Sequence, residues 1–276
     1  MNSIADLHIH TYHSDGIHSP KEVVDKACEQ GIDIISITDH DSINALPEAI
    51  EYGQQKGIEV IPGVEISTDI HNSEVHLLGY FINYNDREFN KYLTFFRDER
   101  FHRAKRIIRK LQNLGINIGM DDVLKHASLS ALGRPHIAKA LIEQGYVENY
   151  YDAFDKYLGD NGPAFERKIH VSVQSAVKLI GDAGGLAFVA HPNKMKEHLL
   201  LDLIDAGIDG IEVVHPSHQE HQVKFYNGIV SEYCLLGSGG SDFHGGLKND
   251  YENLGKHVIP SSSVDTMRNM LVKNSA

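Results

Sequence analysis

Short apolar runs with the character of strands alternate with amphipathic helical stretches, and that alternation leaves few folds open to the chain. Residues 4–10, Ile-Ala-Asp-Leu-His-Ile-His, alternate like a strand. Ser19-Pro20 with Glu22 behind it marks a helix start, capped by Ser19 and ended by Gly31. Residues 32–38 have a buried-strand pattern, 46–56 a helix stopped by Gly57, and 58–67 and 74–82 further strands. The rhythm breaks near residue 83: from Asp86 to about Asp160 the pattern is helical and charged, as in an insertion. It resumes with helix 172–183, strand 186–190, helix 196–206, strand 210–214, helix 218–227, strand 234–237 and a last helix 263–272. Strands joined through helices imply βαβ units and a parallel sheet. The expected fold class is therefore α/β, with a discontinuous α/β part over 1–82 and 166–276 and a helical insertion over 83–165.

The 276 residues suffice for one large α/β barrel. No apolar run reaches the roughly 18 residues that span a bilayer, and the start lacks a basic and then apolar leader. A soluble, cytoplasmic protein without a membrane partner is expected. The net charge of −12 speaks against general nucleic-acid binding, although bound cations can reverse the potential around a small anion. Cys28 lies among apolar helix positions and Cys234 in an apolar run, so both are expected to be buried. The outlying number is 18 histidines, since histidine is the commonest metal ligand.

These histidines cluster by position. His8 and His10 close the first strand, Asp39 and His40 follow the second, and Glu65 closes the third. His76 lies on the fourth, and His191, His215, Asp242 and His244 follow later strands. In an α/β barrel the strand ends form one face, which carries the site. Alternate strand residues point to one side, so His8 and His10 can bind one ion, and Glu65 and Asp242 are placed to add carboxylates. Mixed nitrogen and oxygen donors suit Mn, Fe or Zn better than Ca or Mg. A lone histidine after a strand is more often a hydrogen-bonded surface residue; the repetition at successive strand ends favours metal.

The segments Asp6-Leu-His-Ile-His-Thr-Tyr-His-Ser-Asp-Gly16, Thr38-Asp-His-Asp41, Gly63-Val-Glu-Ile-Ser67, His76, Ala190-His-Pro192 and Gly240-Ser-Asp-Phe-His244 resemble the PHP (polymerase and histidinol phosphatase) superfamily. Gly133-Arg-Pro-His-Ile-Ala138 and Ile211-Glu-Val-Val-His-Pro-Ser-His218 are similar to its TrpH-like subgroup of nucleoside 3′,5′-bisphosphate phosphatases and 5′-3′ exoribonucleases. The resemblance implies a distorted (β/α)7 barrel holding two or three divalent ions, the insertion forming a cap. It implies one ion on His8, His10, Glu65 and Asp242, and a second on Glu65, His76 and His191. A third would sit on Asp15, His40 and His244, where some members carry His in place of Asp15. Asp15, His40, Glu65 and His191 are thereby the expected catalytic residues.

Paired cations clamp a phosphate ester and lower the pKa of water, so attack by a metal-bound hydroxide needs no side-chain nucleophile. Arg134, with His136 beside it, is the candidate phosphate contact, because the guanidinium fork matches phosphate; a salt bridge at a helix start is the alternative. His215 and His218 are candidate substrate contacts; a loop held by local bonds around Pro216 is theirs. Asp39 and Asp41 are expected to orient imidazoles. His13 and His18 are expected to be exposed, and His71, His102, His126, His170, His198, His221 and His257 show no convergence. The basic run Arg97–Lys110 is read as a solvated face, against an oligonucleotide guide, and the glycines of 237–241 as clearing space near the metals. The expected substrate is a small phosphorylated molecule such as a nucleotide, with short RNA the nearest rival and no stable nucleic-acid partner. An amidohydrolase barrel and a non-catalytic metal module are the readings from other classes; the first usually needs a bridging Lys where Glu65 stands.

Overall fold

The computed structural model describes residues 3–71, 73–127, 132–167, 171–193, 195–246 and 250–274. Contacts divide the chain into two compact units, Met1–Asn90 with His170–Ala276, and Lys91–Ile169.

β1 (Ile4–Ile9) leads to α1 (Pro20–Glu29). The Ser19 side chain accepts from the Glu22 amide while the Glu22 carboxylate accepts from the Ser19 amide at 2.7 Å, closing both ends of a capping box. Val23, Val24 and Ala27 turn inward from α1. β2 (Ile34–Ile37) and α2 (Leu46–Lys56) follow, and α2 stops where Gly57 adopts a left-handed φ of 75°. β3 (Glu59–Ile70) is parallel to β2, and β2 to β1. β4 (Ser73–Tyr80) then returns antiparallel to β3, from Ile70 opposite Ser73 to Gly63 opposite Tyr80. The all-parallel expectation is corrected here: so short a connection can join only antiparallel strands, because a parallel pair needs a crossover.

α3 (Arg87–Asn113) is followed by α4 (Met120–Ala127), α5 (Arg134–Glu143), α6 (Tyr150–Ala153) and a π-helical turn at Phe154–Leu158. This helical insertion has its own core, with Ile107, Leu111, Ile118, Ile137, Leu141 and Leu158 buried together. The basic run is only partly a solvated face. Arg97, Lys105 and Arg109 are exposed. Arg103 is buried and its Nε donates to the Glu166 carbonyl at 2.8 Å, while Arg106 and Lys110 pair with the Glu166 carboxylate at 3.4 and 3.0 Å.

The chain returns through β5 (Val171–Ser172), α7 (Val173–Asp182), β6 (Leu186–Val189), α8 (Glu197–Asp205), β7 (Gly210–Val214), α9 (Glu220–Glu232), β8 (Leu236–Gly239), β9 (Ile259–Pro260) and α10 (Ser261–Asn274). Among the described residues the strands form one nine-stranded sheet in the order β8-β7-β6-β4-β3-β2-β1-β9, with β5 on β3. β6, β7 and β8 are parallel, and β6 is antiparallel to β4. Phe243, just beyond β8, bridges back to Ile9 on β1, so the sheet is a nearly closed barrel with helices around it. Leu7, Leu78, Tyr80 and Phe188 belong to its core, Tyr80 meeting Phe188 edge-on at 5.1 Å.

Both cysteines are exposed, which corrects their expected burial. Cys28 lies outside the inward stripe of α1, and Cys234 occupies a turn at φ 55° before β8, so the strand expected at 234–237 begins at Leu236.

Candidate metal centre

The barrel strands deliver side chains to one rim. β1 carries His8, and His10 follows directly on its end, their Nε2 atoms approaching to 3.1 Å. β3 brings Glu65, and the isolated bridge between His40 and Glu65 sets the loop after β2 beside it. His76 reaches the same rim from the first half of β4 because that strand runs backwards. Ser67 faces His76 and Glu65 faces Leu78 across the hairpin, so Glu65 and His76 share a face. The Gly239-Gly240 step passes so close to β1 that a Cβ at Gly240 would collide with the backbone and Cβ of His8. That glycine clears space, as expected, and what it admits is a strand carrying ligands.

The donors fall into groups whose spacing fits cations. His8 Nε2 and His10 Nε2 each lie 3.3 Å from Glu65 Oε2, and 3.4 and 3.2 Å from Asp242 Oδ1. Four ligands at ~2.1 Å from one ion stand ~3.0–3.4 Å apart along octahedral or tetrahedral edges. The other oxygen of Glu65 serves another group: Oε1 lies 2.8 Å from His76 Nδ1 and 3.0 Å from His191 Nε2. Asp15 Oδ1 lies 3.2 Å from His244 Nε2, Asp15 Oδ2 3.8 Å from His40 Nε2, and His40 Nδ1 3.1 Å from Glu65 Oε2. Donor atoms of His10, Asp15, His40 and His244 all fall within 4.8 Å of one another, so His10 touches two groups. The residues present thus fit several divalent ions. All nine expected ligands converge, and the centre carries backbone strain: His191 and Asp242 sit at φ 27° and 49°, and neighbouring Asp41 at 50°.

The groups that hold these ligands were only partly expected. Glu212 Oε1 accepts from His8 Nδ1 at 2.8 Å, and Glu212 Oε2 accepts the His191 amide at 2.6 Å. Its one sequence signal was a charge inside an otherwise apolar strand, Gly-Ile-Glu-Val-Val. Asp6 Oδ1 accepts the Ser241 amide at 2.9 Å, and Asp250 accepts the His244 amide. Asp39, expected to orient an imidazole, instead accepts from the Thr11 amide at 2.7 Å and the Ser14 hydroxyl at 2.6 Å; Ser14 in turn lies 3.3 Å from His10 Nδ1. Asp41 accepts the Ser67 amide at 3.1 Å.

Burial opposes charge throughout the centre, so each group is charged only through its neighbours. Burial would lift the Glu65 carboxyl, yet His40, His76 and His8 hold it well below the usual range. The same contest, won by imidazoles, keeps Asp242 and Asp15 well below theirs. Burial pulls His10 down, but Asp242, Glu65 and Asp15 push it up to about 9, and His76 is likewise pushed up to about 9, chiefly by Glu65. His40 goes the other way: burial, with His10 and His76 nearby, outweighs its carboxylates. Protons on imidazoles here balance charge that a cation would balance.

The expected substrate contacts are placed less simply. His215 Nε2 lies 3.5 Å from Asp242 Oδ2, at the centre. His218 has both ring nitrogens in protein bonds, Nδ1 to the Val213 carbonyl at 2.9 Å and Nε2 to the Asn193 amide at 3.1 Å, so it holds the loop after β6. Within the helical unit, Arg134 Nη1 donates to the Leu158 carbonyl at 3.1 Å and to Asp160 at 2.8 Å, over the rings of Phe154 and Phe165. His136 Nδ1 accepts the Gly133 amide at 3.1 Å in the first turn of α5. His13 and His18 are half-buried rather than exposed, His18 stacking on Phe243 at 5.8 Å. His71 and His126 pair with Asp202 and Glu143 away from the centre, and His170 lies outside the described residues.

Residues 6–176 match the PHP domain. A 5′-3′ exoribonuclease of Haemophilus influenzae is 34% identical over 253 residues, 88% of this chain and 91% of its own. A 3′,5′-nucleoside bisphosphate phosphatase of Chromobacterium violaceum is 32% identical over 246 residues, 87% of this chain and 86% of its own. Among solved structures, a proposed metal-dependent phosphoesterase of Bifidobacterium adolescentis superposes with a TM-score of 0.81 at 29% identity, covering 95% of this chain and 94% of that one.

Proposed function

Because the chain belongs to the PHP family, we propose that it hydrolyses phosphate monoesters of small nucleotides, nucleoside 3′,5′-bisphosphates first among them. That it is a metal-dependent hydrolase of this superfamily follows from the family and the donor groups together. The observation that carries the metal-dependent part is Glu65, whose two oxygens face two separate sets of imidazoles, as a bridge between cations must; the nucleotide substrate is proposed from the named activity of the Chromobacterium relative. His8, His10, Glu65 and Asp242 would hold one ion, Glu65, His76 and His191 a second, and Asp15, His40 and His244 a third. Divalent ions there would withdraw charge from phosphate oxygens and make water a better nucleophile at neutral pH.

The chain's own residues set the rest. The Ser217 amide donates to His215 Nδ1 at 3.1 Å, so a neutral His215 carries its proton on Nε2, aimed at the centre. His215 is thus assigned a hydrogen bond to a phosphate oxygen rather than a metal. Arg134 and His136 are assigned to the phosphate on the chemistry of their side chains, with the work placed in the cytoplasm. His218 is assigned to positioning the His191–Asn193 loop.

The test is a substrate panel run with Mn-loaded protein: nucleoside monophosphates, 3′,5′-bisphosphates and short 5′-phosphorylated RNA. Fastest phosphate release from the bisphosphate is expected. Faster release of nucleotides from RNA would move the assignment to the exoribonuclease activity carried by the Haemophilus relative. No release from any substrate would overturn the enzyme reading.

A further inference from the structure

Glu212 stands on β7 with no exposed surface and belongs to none of the ligand sets assigned above. Its two oxygens do different work. A carboxylate only accepts hydrogen bonds, so the 2.8 Å bond from His8 Nδ1 to Oε1 requires the proton on Nδ1. The lone pair on His8 Nε2 is then left to face His10, Glu65 and Asp242. Oε2 accepts the amide of His191, whose φ of 27° lies in a region that residues with a side chain rarely enter. From that backbone the His191 ring reaches Glu65 Oε1 at 3.0 Å. A buried carboxylate needs charged or hydrogen-bonded partners to persist. Burial is outweighed here by His8 and His215, which hold Glu212 below the ordinary range.

We propose that Glu212 is a positioning residue of the metal centre: one buried carboxylate orients the His8 ring for ligation through Nε2 and locks the His191 backbone, tying two donor groups together. The inference rests on the metal-dependent reading above. It adds a coupling between the groups of His8 and His191 from which the Asp15, His40 and His244 group is exempt.

Glu212→Gln keeps the shape but exchanges one acceptor oxygen for a donor amide, so it can serve His8 or His191 and not both. Wild type and variant are stripped with chelator and titrated with Mn²⁺ at fixed pH. Bound metal is counted per chain, and anomalous diffraction locates each ion. Glu212→Gln is expected to bind Mn²⁺ roughly 10–100-fold more weakly at the His8 and His191 groups, keeping the Asp15 group. Its half-maximal activity should move to higher Mn²⁺ by the same factor, with KM at saturating Mn²⁺ unchanged. Unchanged Mn²⁺ affinity, or equal weakening at every group, overturns the proposal. A wild type that binds no Mn²⁺ overturns the metal-dependent reading instead. If the variant fails to fold, the wild type decides. In Zn²⁺-loaded protein with ¹⁵N-labelled imidazoles, His8 must show a proton on Nδ1, and a bare Nδ1 overturns the proposal.

Discussion

Glu65 is buried among five imidazoles that would repel one another if protonated together, and its carboxylate makes their company tolerable. Glu65→Ala removes the charge facing both groups. Turnover is expected to fall by more than the ~10–100-fold typical of a residue behind the ligands, with bound metal reduced and circular dichroism retained; wild-type turnover would reject the assignment. The same residues give the metal-free protein a pH signature. His10 and His76 have folded pKa values of about 9, above the unfolded value near 6.5. Their stabilisation is complete below pH ~6.5 and is lost as pH rises through ~9. His40, shifted down, carries the opposite sign and penalises the folded state on the acid side. Chelated protein should therefore lose thermal stability between about pH 6.5 and 9 while its metal affinity rises, since ligation needs deprotonated imidazoles. A melting temperature that climbs across that window would contradict these shifts.

Among elements, the close approach of the segment after β8 to β1 constrains the centre. Gly240 lies against His8 where no side chain fits. Gly240→Ala must push the segment after β8 away from β1, and with it Asp242 from His8 and His10. Overpacking of this kind costs about 1–3 kcal/mol. A melting temperature lowered accordingly, with weaker metal binding, is expected; unchanged metal affinity would show that the strands can part without disturbing the ligands. The β3–β4 hairpin matters in another way. Its reversal places the first half of β4 at the rim where the parallel strands end, and so delivers His76 to Glu65.

For the molecule as a whole, a net charge of −12 and a rim rich in carboxylates lead to the prediction that bound cations would stabilise it. Anything that binds the folded state alone stabilises it, by about 2.7 kcal/mol per site at a hundredfold excess over Kd. Chelation should lower the melting temperature and Mn²⁺ should restore it; a melting temperature indifferent to both would mean that the donors hold no ion. Among the described residues, no helix is long and apolar enough to cross a membrane.

The α/β class, the helical insertion and the candidate ligands at strand ends could be read from the chain because each leaves a local mark, whereas Asp15 entered only with the family resemblance. Strand and helix differ in apolar period, and a ligand must be a His, Asp or Glu at a strand end. Ser19 with Glu22 marked the start of α1 for the same reason. The direction of β4 left no such mark, since an apolar strand reads alike both ways and only its pairing decides. Glu212 left only its charge in an apolar strand, which does not name its partners His8 and His191, 204 and 21 residues away, and the closure of His218 onto the His191–Asn193 loop left none. Which carboxylates bind metal and which hold the ligands depends on distances between segments remote in the chain, and only the folded barrel sets those distances.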